Sequence, residues 1–173
     1  MSNADSIYPI DRLQQLGDRL AIADLIARLG LMLDEHRFDE AASILDDEVT
    51  VKTPGGSAQG REAVAAQARR NHTVRTQHVI TNVLIELDRD RAQARANLTA
   101  TFAPDPGSRL VINGKEQRDS FLTLGEVYRF GAVRTADGWR LSRIETEPRW
   151  SSRPLSGGAR VAQTRQDAAP AAS

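Results

Sequence analysis

The residues best equipped for chemistry are a histidine and an aspartate far apart in the chain. They are His78, in Thr76-Gln77-His78-Val79-Ile80-Thr81-Asn82, and Asp34, in Leu33-Asp34-Glu35. An imidazole titrates near neutrality, so it takes or gives a proton at ordinary pH, and a carboxylate beside it fixes its tautomer and stabilises its charged form. Such a pair suffices for acid/base catalysis without a cofactor. Around His78 polarity alternates with a period of two, as in a half-buried strand, which predicts His78, Ile80, Asn82 and Leu84 on one face. A pocket receiving the imidazole would then receive the Asn82 amide, which can orient a carbonyl or hydroxyl. Tyr128 and Arg129 are neighbours on a later strand pattern, so they point to opposite faces and only one can serve a cavity; the sequence leaves open which. Tyr128 can donate a hydrogen bond to an enolate, and Arg129 or Arg134 can stabilise an oxyanion or a departing anion.

Plainer roles are also available. His78 can be a hydrogen-bonded core residue, and Asp34, followed by Glu35-His36-Arg37, can cap the next helix. His36 and His72 lie in polar stretches without the pairing that favours a metal, so solvent-facing roles and no metal site are expected. The stretch Gly55 to Glu62 lacks the lysine of a phosphate loop and the final glycine of a nucleophile elbow, and it reads as a flexible turn before a helix. Arg69, Arg70 and Arg75 suit a solvated helix end, and Trp139 and Trp150 suit packing or an interface.

Composition narrows the field. At 173 residues the chain suits one domain with a single core, expected over residues 1–150, with 151–173 as a flexible tail poor in large apolar side chains. Lysine plus arginine equals aspartate plus glutamate at 23 each, which argues against a nucleic-acid surface. With no cysteine, thiolate nucleophiles, disulfides and thiolate zinc sites are excluded. The opening residues lack a leader pattern and no apolar run is long enough for a membrane span, so a cytoplasmic location is the expectation.

The elements that must position these residues come as helices first and strands later. Asp11 and Gln14 resemble a capping box, and helical spacing of Leu16, Leu20, Ile22, Leu25, Ile26, Leu29 and Leu33 predicts a helix from Asp11 to Asp34. A shorter helix is predicted from Phe38 to about Asp46, a short strand over Val49 to Lys52, and an alanine-rich helix from Gly60 to Asn71. Strands follow over Gln77 to Leu87, Ala92 to Phe102, Gln117 to Arg134 and Trp139 to Glu147, with a long exposed loop from Pro104 and sequential antiparallel pairing. Helices before strands favour an α+β architecture.

Several segments in this order resemble the SnoaL-like branch of the nuclear-transport-factor-2-like superfamily. They are Ala23 to Arg28 leading to Leu33 to Asp39, then Asp46 to Val49, Gly60 to Val64, Thr76 to His78 with Asn82, and a closing hairpin from Val133 to Leu141. The resemblance implies a cone-shaped α+β barrel, with helices packed in a strongly curved, mostly antiparallel sheet around an apolar cavity. It also implies a homodimer through the outer sheet face. In several relatives a histidine on the first long strand faces an aspartate at the end of the first helix, positions that look like His78 and Asp34. Some dehydratases of the family add an acid/base residue on the next strand, where Leu98 to Phe102 here carry none, and Leu33 stands in place of an aromatic hydroxyl.

Three roles follow from this fold, which hosts many chemistries. One is a cofactor-independent lyase, isomerase or cyclase acting on an apolar cyclic, polyketide-like or steroid-like molecule. Another is a small-molecule-binding protein without catalysis. The third is a structural partner like the β subunit of an aromatic-ring dioxygenase.

Overall fold

The computed structural model describes residues 10–112, 114–117, 121–153 and 161–165. Helix α1 runs Ile10–Asp34. Its buried residues Ile22, Leu25, Ile26, Leu29, Met32 and Leu33 recur every three or four positions, so one stripe of the helix joins the core. The earlier Leu13, Leu16 and Leu20 are exposed, so the apolar stripe is covered only from Ile22 onward.

After Asp34 the chain turns sharply. His36 takes a left-handed conformation, φ 55°, and the Glu35 and Arg37 amides close on the Leu31 and Met32 carbonyls at 2.9 Å each. A single 3-10 turn, Phe38–Glu40, and the four-residue helix α2, Ala41–Ile44, follow. The predicted helix to about Asp46 is thus cut short, because Leu45 and Val49 are needed in the core as part of strand β1, Leu45–Thr53. The 3-10 turn has Arg37 at its cap position and no side-chain cap, so Asp34 does not take the capping role open to it.

The remaining elements are β2 (Gly56–Gln59), α3 (Arg61–Asn71), β3 (Arg75–Asp88), β4 (Arg91–Ala103), β5 (Ser108–Ile112), β6 (Lys115–Glu116), β7 (Leu122–Thr135), β8 (Gly138–Ser151) and β9 (Val161–Arg165). Six strands form one sheet in the order β2-β1-β8-β7-β4-β3. The predicted sequential pairing holds for β3 with β4, β4 with β7 and β7 with β8, all antiparallel. Strand β1 lies parallel to β8, which the sequence reading does not foresee.

A second sheet, β6-β5-β9, departs from expectation more clearly. Strands β5 and β6 pair antiparallel where a loop is predicted, and residues 161–165, within the segment read as a flexible tail, pair with β5. The hydrogen-bonding backbone supplies this pairing, which is why a segment poor in large apolar residues gives little sign of it. Residues 154–160 and 166–173 of that predicted tail lie outside the described residues.

The main sheet is bent by register shifts in β1, at Thr81/Leu84 of β3, and at Gly125/Glu126 and Gly131/Ala132 of β7. Such irregularities add local twist and let long antiparallel strands curl around a core. The helices pack on this curved, mostly antiparallel sheet, and the α+β class read from the sequence stands.

Candidate active site

Helix α1 and strand β3 bring Asp34 to His78, and a glycine makes the approach possible. A Cβ on Gly30 would stand 3.3 Å from Ile80 Cδ1 and 3.7 Å from His78 Cβ, so the missing side chain lets the helix lie tightly against β3. Asp34 is one turn beyond Gly30, on the same helix face. Its Oδ1 sits 2.6 Å from His78 Nδ1, its Oδ2 accepts the His78 backbone N–H at 2.8 Å, and Oδ1 also accepts the Thr76 hydroxyl at 3.0 Å. An ionised carboxylate only accepts, so Nδ1 carries the ring proton and Nε2 is left as the free base. The His78 side chain is 4% exposed and Asp34 21% exposed. Burial opposes ionisation of Asp34, but hydrogen bonds from the His78 ring and backbone, the His78 charge and the Thr76 hydroxyl outweigh it and hold the carboxyl below its ordinary value.

His78 lines a cavity of about 110 Å³ together with Leu98, Ala100, Phe102, Leu122, Leu124, Glu126, Tyr128 and Thr146. Asp34 is not among the lining residues; it stands behind the imidazole. A second, more apolar cavity of about 80 Å³ adjoins the first, sharing Thr53, Asn71, His72 and Tyr128 and reaching Leu29, Met32 and Leu33 on α1. Its Gln67 side chain is buried with Oε1 unpartnered.

The structure sorts the remaining candidates. Tyr128 is buried and faces both cavities, whereas Arg129 is exposed on the other side of β7 and pairs with Glu147 at 3.4 Å. Burial, with the Glu126 and Asp34 charges, pushes the Tyr128 phenol far up, so it remains a hydrogen-bond donor.

Asn82 does not join His78. It sits at φ 55° in the β3 bulge, which inserts one extra residue and so reverses the alternation: Val83, Ile85 and Leu87 turn to the core, while Asn82 is exposed and Leu84 is 66% exposed. Arg134 is also elsewhere. It pairs with Asp18 at 2.6 Å and Asp90 at 3.1 Å and covers the Trp139 ring at 4.6 Å, away from the residues lining the His78 cavity. Trp139 is buried and does the packing open to it, its Nε1 donating to Asp18 at 3.0 Å, whereas Trp150 lies over Gly125 and stays largely exposed.

Two functional groups escape the sequence reading. His72, predicted to face solvent, lines both cavities with its ring centroid 5.3 Å from that of His78. Its Nδ1 donates to the Ala68 carbonyl at 2.9 Å, and burial, with His78 beside it, lowers its pKa to about 4, so the ring is neutral at ordinary pH. Nothing in the polar run Arg69-Arg70-Asn71-His72-Thr73 announces this.

Glu126 is the other. It is 8% exposed, and burial pushes its carboxyl upward, against the opposing effects of the nearby Thr146 hydroxyl and of His78. The Thr146 Oγ1 is itself buried and makes no hydrogen bond of ordinary geometry. The signal for Glu126 is present in the sequence: Leu122, Leu124, Glu126, Tyr128 and Phe130 alternate along β7, placing one carboxylate in an apolar row.

Among the described residues no group of three or more histidine, aspartate or glutamate side chains is placed to hold a metal, and no helix is long and apolar enough to cross a membrane. A barrel-like α+β domain enclosing a histidine and carboxylates at an apolar cavity defines a small-molecule-handling fold. Residues 14–145 match the SnoaL-like domain family, and the chain belongs to it.

Solved structures agree in fold. A putative scytalone dehydratase from Novosphingobium aromaticivorans is 18% identical with TM-score 0.69, over 83% of this chain and 92% of that one. A protein from the same organism described as NTF2-like with a cystatin-like fold is 23% identical with TM-score 0.64, over 84% and 90%. A hexachlorocyclohexane dehydrochlorinase of the LinA type from Novosphingobium barchaimii is 20% identical with TM-score 0.66, over 81% and 92%. Comparison with curated proteins finds no match.

Proposed function

We propose that the chain is a cofactor-independent lyase or isomerase in which His78 Nε2 removes a proton from carbon beside a carbonyl and Asp34 holds the imidazole in the tautomer that allows it. The observation that carries this is the 2.6 Å contact between Asp34 and a ring that is 4% exposed and lines an apolar cavity. Tyr128 donates to the carbonyl oxygen as negative charge develops there, in surroundings where a hydrogen bond is stronger than in water.

Cavity size supports a compact substrate. An apolar cavity of about 150 Å³ holds a benzene ring, and the two adjoining spaces here are about 110 and 80 Å³. A ligand of one or two rings suits them, with a polyketide-like fragment as one candidate; a steroid skeleton demands widening. The unpartnered Thr146 Oγ1 and Gln67 Oε1, one in each cavity, are groups that a ligand with polar substituents would satisfy. A homodimer through the outer sheet face belongs to the same proposal, supported by exposed Val79 on β3 and Trp150, which is 55% exposed, on β8.

The test is deuterium exchange at the carbon beside the carbonyl in a panel of small cyclic and aryl ketones. His78→Ala abolishes exchange while leaving ketone affinity within about threefold. Unchanged exchange in that variant, or no exchange of any bound ketone by the wild-type protein, overturns the reading and leaves a binding protein.

A further inference from the structure

The cavity contains a titratable group that a base and its positioning residue do not use. Glu126 lies on β7 in the row Ile80–Leu98–Glu126, and His78 on β3 lies in the next row, His78–Ala100–Leu124. Strand β4 stands between them. Strand spacing of about 4.8 Å places the two backbones roughly 10 Å apart, and side chains reaching inward from a concave sheet leave between them the width of a small molecule. Both side chains line the same cavity, and no lysine or arginine lines it. A carboxylate there has no fixed cation to answer it, whereas a neutral carboxylic acid suits an apolar wall. Tyr128 is the next inward residue on β7, about 7 Å along the strand from Glu126.

The geometry points to Glu126 as the proton donor to an oxygen leaving group, making this a site for the dehydration of a β-hydroxy ketone. The inference rests on His78 being the base. Tyr128 holds the ketone oxygen, His78 Nε2 takes the proton from the carbon between ketone and alcohol, and that C–H electron pair becomes the C=C bond. The C–O bond breaks, its electron pair stays on oxygen, and that oxygen takes the Glu126 proton and leaves as water. Proton return from the His78 imidazolium to the Glu126 carboxylate restores both groups, so the net change is β-hydroxy ketone to conjugated enone plus water. Chloride leaves without a proton, so the same base with the same ketone needs no Glu126 when chloride replaces hydroxyl.

The experiment compares the aldol of benzaldehyde with acetone against its chloride analogue, both of which give benzalacetone, followed by ultraviolet absorbance and corrected for the uncatalysed rate. Glu126→Gln is expected to lower kcat/KM for the aldol by about 100-fold or more, the usual worth of a general acid, and to leave the chloride within about threefold. His78→Ala is expected to lose both. The aldol rate falls as pH rises and Glu126 ionises, a limb absent from the chloride reaction. Should Glu126→Gln fail to fold, Glu126→Asp, with a shorter reach, supplies the same contrast.

Equal loss on both substrates, or loss on neither, overturns the acid role, while the base role stands if His78→Ala still abolishes chloride elimination. Turnover of neither compound by the wild-type protein overturns both.

Discussion

A single carboxylate holds both the ring and the main chain of His78: Asp34 Oδ1 meets Nδ1 at 2.6 Å and Asp34 Oδ2 accepts the backbone N–H at 2.8 Å. Both donors need an acceptor, and Asn offers one oxygen and one NH₂ group. Asp34→Asn therefore leaves either the ring or the backbone amide facing a donor, and it frees the imidazole to take the wrong tautomer. Proton-transfer kcat is expected to fall by about 100-fold or more with KM little changed. A fall confined to KM would assign Asp34 to ligand binding instead, as steady-state kinetics on wild type and variant will show.

His72 sets an acid limit on stability. Its folded pKa of about 4 lies below the ordinary 6.5, so between these values the unfolded chain binds a proton that the folded one refuses. Its stabilising contribution is present in full above pH 6.5 and is lost as pH falls towards 4, a change on the order of 3 kcal/mol for a shift of this size. The depressed Asp34 carboxyl adds a further loss below its unfolded value of 3.8. Urea midpoints measured from pH 7 to 4 should drop steeply for the wild type and less steeply for His72→Gln.

Glu126 works in the opposite sense. Its raised carboxyl pKa favours the folded state below the unfolded value of 4.5, and that advantage disappears as pH rises through the folded value. Glu126→Gln is expected to raise Tm at neutral pH, by roughly 2–4 °C for each kcal/mol gained, even as it lowers turnover. A lower Tm for the variant at neutral pH would show that the carboxylate is structurally satisfied where it stands.

Gly30 controls the distance between helix and strand. Alanine there crowds the flexible tip of Ile80, at 3.3 Å, and meets His78 Cβ and the His78 carbonyl only at ordinary contact distances of 3.7 and 3.8 Å. Gly30→Leu forces α1 away from β3, with overpacking that costs about 1–3 kcal/mol and separates Asp34 from His78. The expected signature is a larger fractional loss of kcat in Gly30→Leu than in Gly30→Ala, measured at a temperature where both are folded.

Arg134 serves as the control. It bridges Asp18 and Asp90 and covers Trp139, away from the cavity. Arg134→Met is expected to lower stability by about 1–2 kcal/mol while leaving kcat/KM within about twofold. A large kinetic defect would bring Arg134 back as an anion-stabilising group.

The sequence made the α+β class, the long helix ending at Asp34 and the four central strands legible, because their periodicities of 3.6 and 2 come directly from burial on one face. His78 with Asp34 was legible through their family setting, and their meeting in space is what the coordinates add. Asn82 was misplaced because period-two reasoning assumes an unbroken ladder, and a bulge at Thr81/Leu84 turns the strand over. Strand β9 leaves little trace because its pairing with β5 runs through the backbone, whereas β5 does carry a side-chain signal, Leu110 and Ile112 alternating into the core, that the loop-forming run from Pro104 to Ser108 before it overshadows. The burial of Glu126 follows from its spacing, because fixing the inward face of Tyr128 fixes that of Glu126, two residues earlier.

Histidine tautomers are visible directly by long-range ¹H–¹⁵N correlation, and this tests the central arrangement without needing a substrate. In mildly alkaline solution His78 should show a protonated Nδ1 with a strongly downfield proton and a bare Nε2, and that downfield proton should vanish in Asp34→Asn. An Nε2-protonated ring, or a spectrum unchanged by the Asp34 substitution, would contradict the account.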